Sequence, residues 1–119
     1  MTNNRLNGCT YCMAAHTAVS KKFRVDDDVI AALRSGSPIN DPKLEALRTF
    51  AIIIHETHGR PTEEQIEAFL AAGYTKRTIL EVIVGTSLKV LSNYTTPIVK
   101  PELDKVFASM AWSEDMAQL

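Results

Sequence analysis

No stretch of this 119-residue chain approaches the roughly 18 apolar residues that a membrane-spanning helix needs, and the polar start Met1-Thr2-Asn3-Asn4-Arg5 has no apolar signal-peptide region. No membrane partner is expected, and the reading is of a cytoplasmic protein. Basic runs are equally scarce: Lys21-Lys22 is the longest, and 13 Lys+Arg against 14 Asp+Glu leave a net charge of −1. Nucleic-acid binding draws on clustered cations facing phosphates, so a nucleic-acid partner is not expected either. Strand signals are missing too. There is no sustained period-two alternation, no Asn-Gly turn between strand-like runs, no fixed repeat and no low-complexity tract. What remains is an all-α chain forming a single domain over 1–119, long enough to bury about two-thirds of the surface its unfolded form exposes.

Helix punctuation is clear along most of that length. Asp26, Asp27 and Asp28 supply caps and negative charge for a short helix bearing Val29, Ile30 and Leu33, closed by Ser35-Gly36-Ser37-Pro38. Asp41 with Pro42 at the first helical position opens a core helix in which Leu44, Leu47, Phe50, Ala51 and Ile54 recur until His58-Gly59-Arg60-Pro61. Thr62 and Gln65 make a capping-box pattern ahead of Ile66, Phe69 and Leu70, with Gly73 as the stop. Thr75 opens the longest apolar element. Its Val82-Ile83-Val84 run carries apolar side chains on more than one face, which predicts burial all round, by its own domain or by a second subunit. Pro97 and Pro101 are expected to end it, leaving a short tail with Val106, Phe107 and Trp112.

Both cysteines and one of the three histidines fall within Gly8-Cys9-Thr10-Tyr11-Cys12-Met13-Ala14-Ala15-His16. At about 100° per helical residue, Cys9 and His16 point within roughly 20° of each other and Cys12 lies about 60° to one side. A dithiol beside an imidazole suits thiol redox chemistry: the thiolate is the nucleophile, a neighbouring base or cation favours it, and the second thiol closes a disulfide. No Val/Ile-rich run precedes Cys9, so the motif is not the strand-to-helix CxxC of a thioredoxin. Position gives two answers on which sulfur attacks. A first-turn Cys9 would feel the helix dipole. Cys12 is nearer the base, about 6 Å from His16 along the axis against about 10.5 Å for Cys9, which favours Cys12.

CxxCxxxH in an all-helical chain resembles the alkylhydroperoxidase D-like, or carboxymuconolactone decarboxylase, family. The run Ile79-Leu80-Glu81-Val82-Ile83-Val84, continuing through Leu88, Leu91, Ser92, Asn93 and Tyr94, is similar to that family's long core helix and the Asn-Tyr after it, so the likeness extends from Asn7 to Leu103. The resemblance implies a compact bundle of five to six helices and a thiol peroxidase or disulfide reductase that works without a cofactor. It also implies that Cys12 is oxidised by a hydroperoxide, that Cys9 condenses with the sulfenic acid, and that His16 relays the proton. A dithiol or protein reductant would recharge the pair, and the assembly would be a homo-oligomer, a trimer or hexamer.

The sequence also departs from the family. Its peroxidases carry a glutamate upstream of the first cysteine and often a histidine just before the second; here no acid precedes Cys9, and position 11 is Tyr11. A carboxylate from elsewhere, Glu81 first and Glu56 next, or a water would then hold His16, or activity is weak or lost. A short or truncated N-terminus, lacking a helix the family has there, is a further expectation. Tyr11 and Tyr94 are candidate pocket residues.

Several plainer readings stand beside these. The cysteines could be inert apolar side chains, and the chain a non-catalytic or redox-sensing oligomer that binds a small ligand. CxxC plus one histidine gives three ligands where a closed zinc site takes four, so no metal is expected. His55 and His58, three apart around Glu56, are read as capping a helix C-terminus rather than holding metal. Met110, Trp112 and Met116 are read as packing or a subunit contact.

Overall fold

The computed structural model describes residues 1–115 as an all-helical globule; Met116 lies outside the described residues. Six α-helices follow in order: α1 Thr2–Leu6, α2 Thr10–Lys22, α3 Asp27–Ser35, α4 Pro42–Thr57, α5 Glu63–Ala71 and α6 Lys76–Val99. A 3-10 helix, Lys105–Met110, comes after them. Among the described residues, no helix is long and apolar enough to cross a membrane.

Four of the six helices begin on a side-chain cap that the sequence spells out or permits. Asp41 accepts from the Leu44 amide at 2.8 Å with Pro42 in the first turn, and Thr62 and Gln65 close a full capping box. Thr75 and Thr78 make a second box at the head of α6, and Cys9 caps α2. Asp26 precedes α3 but makes no side-chain cap; Asp28 instead accepts from the Val29 amide at 2.8 Å. At the far end of α4 the expected cap is made by backbone. His58 adopts the left-handed conformation (φ 53°), and the Gly59 amide reaches the Ile54 carbonyl at 3.0 Å.

The apolar core forms where α4, α5 and α6 meet. Phe50 and Phe69 stack at 4.1 Å and Phe69 and Tyr74 at 4.5 Å, with Ile54, Leu47, Ile66, Ile79 and Val82 packed around the three rings. A smaller cluster of Val29, Ala32 and Ile39, with Leu33, anchors α3 and the loop after it.

Two expectations about α6 need correction. Pro97 does not end the helix, which runs on to Val99 and closes at Lys100 in the left-handed conformation. Proline leaves the Asn93 carbonyl without its i+4 donor, and the Thr95 and Thr96 hydroxyls bond the carbonyls of Leu91 and Ser92, both at 2.7 Å, in the turn before. Nor does the fold surround α6. Leu80, Val84, Leu88, Leu91 and Ile98 form one stripe and stay 59–82% exposed. The described residues of its own domain leave that stripe uncovered.

The polar first helix sits at the centre of the fold. α1 packs against α2, α3, α4 and α6. Asn4, fully buried, donates to the Cys12 carbonyl at 3.1 Å and meets the Asn93 amide at 2.9 Å. Asn7 meets Asn93 at 3.0 Å, and Asn3 donates to Thr86 Oγ1 at 3.1 Å. Four amides thus fasten α1 to the motif helix and to α6. Replacing Asn93 with Leu leaves the buried Asn4 amide and the half-buried Asn7 amide short of partners. The expected loss is on the order of 2 kcal/mol or more, read as a lower urea midpoint with unchanged slope.

Candidate functional site

The CxxC segment is positioned by a tight reversal between α1 and α2. Asn7 ends α1, Gly8 takes φ 62°, a left-handed conformation that costs glycine little, and the Cys9 amide then donates to the Asn4 carbonyl at 2.9 Å. α2 starts at Thr10, so Cys9 lies just outside the helix and serves as its cap, its sulfur accepting from the Cys12 amide at 3.3 Å. Cys9 and Cys12 are joined by a disulfide, with Cα atoms 5.3 Å apart. Both are buried, Cys9 1% and Cys12 5% exposed.

On the other side of the sulfurs lies α6. Thr96 Oγ1 stands 3.6 Å from Cys12 Sγ, and two turns earlier Lys89 Nζ stands 2.7 Å from His16 Nε2. The α2 positions 12 and 16 therefore face the α6 positions 96 and 89. The lysine ammonium can only donate, so this contact requires a neutral imidazole with Nε2 as acceptor and the ring proton on Nδ1. The electrostatics agree. Burial first, then the Lys89 charge and the Met1 amino group, push the His16 pKa down to about 4, and burial lowers that of Lys89.

The other candidates go elsewhere. Glu81 is exposed and paired with Arg77 at 2.9 Å; among the described residues the side chain that meets His16 is Lys89, not a carboxylate. Tyr11 donates its hydroxyl to Asp104 at 2.5 Å, which raises its pKa, and sets its ring edge-on to Phe107. It secures the 3-10 segment against α2. Arg34 completes that seam, donating to Thr17 Oγ1 and to the carbonyls of Met110 and Ala111, while Trp112, buried, donates to the Arg34 carbonyl at 2.9 Å. Packing within the chain thus accounts for Trp112.

Tyr94 lies on a cavity that does not include the sulfurs. With His55, Glu56, His58, Ser87 and Val90 it lines a half-open cavity of about 480 Å³ between the end of α4 and the middle of α6. His55 and His58 line this cavity, and the α4 terminus is capped by backbone instead. Among the described residues no group of three or more His, Cys, Asp or Glu is arranged to hold a metal ion.

Lys89, Thr96 and the Asn3, Asn4, Asn7 and Asn93 set were not singled out from the sequence as site residues. A signal did exist for part of the set. Lys89 is the only charged residue between Glu81 and Lys100, and Asn93 interrupts the same largely apolar helix, both poor choices for a face buried in hydrocarbon. Compared with protein-family models and with curated proteins, the chain matches none.

A depressed histidine pKa has a consequence for stability. The unfolded chain takes up the His16 proton near its ordinary value of 6.5, the folded chain only near about 4. Stability is undiminished by this group above pH 6.5 and falls as pH drops through that window. Urea midpoints measured against pH should therefore fall less steeply between pH 6.5 and 4 in His16→Gln than in the unaltered protein.

Proposed function

We propose that this protein is a thiol-dependent oxidoreductase, a peroxidase or disulfide reductase of the alkylhydroperoxidase D-like type. It reduces hydroperoxides through a Cys9–Cys12 dithiol/disulfide cycle in a cytoplasmic setting. The observation that carries the reading is the disulfide itself, closed across the first turn of α2 with His16 on the next turn. In the cycle one thiolate attacks the peroxide O–O bond, giving a sulfenic acid and an alcohol. The other thiol condenses with the sulfenic acid, releasing water and closing the disulfide. Two electrons leave the dithiol, and a dithiol or protein reductant returns them. Free-thiol titration after mild peroxide should show both thiols of the reduced protein lost without a covalent dimer. Two thiols persisting under excess peroxide would defeat the reading.

The runner-up, a redox-sensing member that binds a small ligand, draws support from the separate cavity over His55, His58 and Tyr94 and from the near-complete burial of both sulfurs. Steady-state turnover with a dithiol donor separates the two. A catalyst consumes peroxide in large excess over protein, and a sensor oxidises once.

The assembly is proposed to be a homo-oligomer, a trimer or hexamer, built on the exposed α6 stripe. Five large apolar side chains in one row are more than a lone chain ordinarily leaves to water. Light scattering should give a multiple of the 13.2 kDa chain, and Leu88→Glu with Leu91→Glu should return it to a single chain. A monomeric unaltered protein at micromolar concentration would contradict this.

A further inference from the structure

We infer that in the reduced protein Cys9 is the thiolate and Cys12 keeps its proton, so that the recharging thiol attacks Cys12 and expels Cys9. This rests on the redox reading above and reverses the order that nearness to His16 favours.

The hydrogen bonds at each sulfur decide it. Cys9 Sγ occupies the cap of α2 and accepts the Cys12 amide at 3.3 Å, where the helix's unpaired N–H groups favour negative charge. Cys12 Sγ has the opposite kind of neighbour. Thr96 Oγ1, 3.6 Å away, already donates its hydrogen to the Ser92 carbonyl at 2.7 Å, so toward sulfur it can only accept, and an S–H is the group that suits it. His16 cannot take that proton at Nε2, because Lys89 fills the acceptor position. Hydrogen bonds to the charged form lower a thiol's pKa, and those to the neutral form raise it.

The charged groups around α2 leave this order intact. Arg34 from α3 is engaged with the carbonyls of Met110 and Ala111, Asp104 ahead of the 3-10 helix with Tyr11, and Lys89 from α6 with His16; the Met1 amino group lies ahead of α1. The Lys89 charge favours a Cys12 thiolate, but it acts from beyond the imidazole, about one turn past Cys12, whereas the amide and hydroxyl lie at the sulfurs.

The recharging step follows. An incoming thiolate bonds to Cys12 Sγ, the S–S bond breaks, and its electron pair leaves on Cys9 Sγ, already cradled at the helix cap. A second thiol then attacks the external sulfur of the mixed disulfide, and Cys12 Sγ leaves and takes up the proton released by that thiol. The sulfur of lower pKa leaves faster, and Cys12 is also the less buried of the two.

Thiolate ultraviolet absorbance, which needs no access to the sulfur, tests the assignment in Cys12→Ser and Cys9→Ser. Cys9 is expected to ionise at least one pKa unit below Cys12. In the reduced unaltered protein, limiting iodoacetamide at pH 7, with the label located by fragment mass spectrometry, should favour Cys9 about 3-fold or more, because the tenfold larger thiolate fraction that one unit gives is offset in part by the lower nucleophilicity of the less basic thiolate. Limiting 2-mercaptoethanol added to the oxidised unaltered protein and quenched with iodoacetamide should leave the mixed disulfide on Cys12 and the alkyl label on Cys9, and the reverse pattern overturns the order of attack. Equal ionisation, or label appearing first on Cys12, overturns the assignment. Peroxide turnover plays no part in these readouts. A protein that titrates in this order but never turns over would lose the peroxidase reading and keep this one.

Discussion

The contact on which the rest of this structure leans is the buried amide pair Asn4–Asn93. Asn4 is fully buried and Asn93 1% exposed, so each amide must find its partners inside the protein. They find one another, Asn7 and the Cys12 carbonyl. Hydrogen bonds of this kind are directional, unlike apolar packing, and so they fix the register of α1, α2 and α6. The CxxC turn inherits its geometry from that register: the Asn4 carbonyl receives the Cys9 amide, and the Asn4 side chain holds the Cys12 carbonyl.

α6 divides its circumference among three tasks. One face carries Thr86, Lys89, Asn93 and Thr96 toward α1 and α2 and supplies the polar partners of the motif. The next carries Ile83, Ser87, Val90 and Tyr94 along the cavity by α4. The third carries the exposed leucine and valine stripe. A helix that must serve a polar seam, a cavity wall and an uncovered apolar row shows no single amphipathic pattern, which is why its sequence reads as apolar on more than one face.

The site's electrostatics also differ from the family expectation. In place of a carboxylate that would raise the basicity of His16, a lysine holds the imidazole neutral. His16 Nε2 is thereby occupied by Lys89, while the Cys9 sulfur meets the amide of the α2 cap. The surroundings of the CxxC pair are thus set by backbone geometry as much as by side-chain type.

The order of α2 to α6, most caps and the core aromatics were legible in the residues, because caps and 3.6-residue periodicity are local, whereas α1 was not. Asp41 with Pro42, Thr62 with Gln65, and Phe50 with Phe69 needed only near neighbours to be recognised. The CxxC pairing was legible for the same reason, since one helical turn brings a cap residue beside the third residue after it. The N-terminal Asn3, Asn4 and Asn7 gave no such sign, because a polar residue's burial depends on partners some 80 to 90 positions away. Lys89 at His16, Glu81 turned out to Arg77 and Tyr11 given to Asp104 were likewise settled only by tertiary packing. The sequence by itself determined an all-helical chain with a dithiol at a helix start. Which partner each site residue meets was decided by the fold, because short-range propensity carries no information about which distant surfaces come into contact.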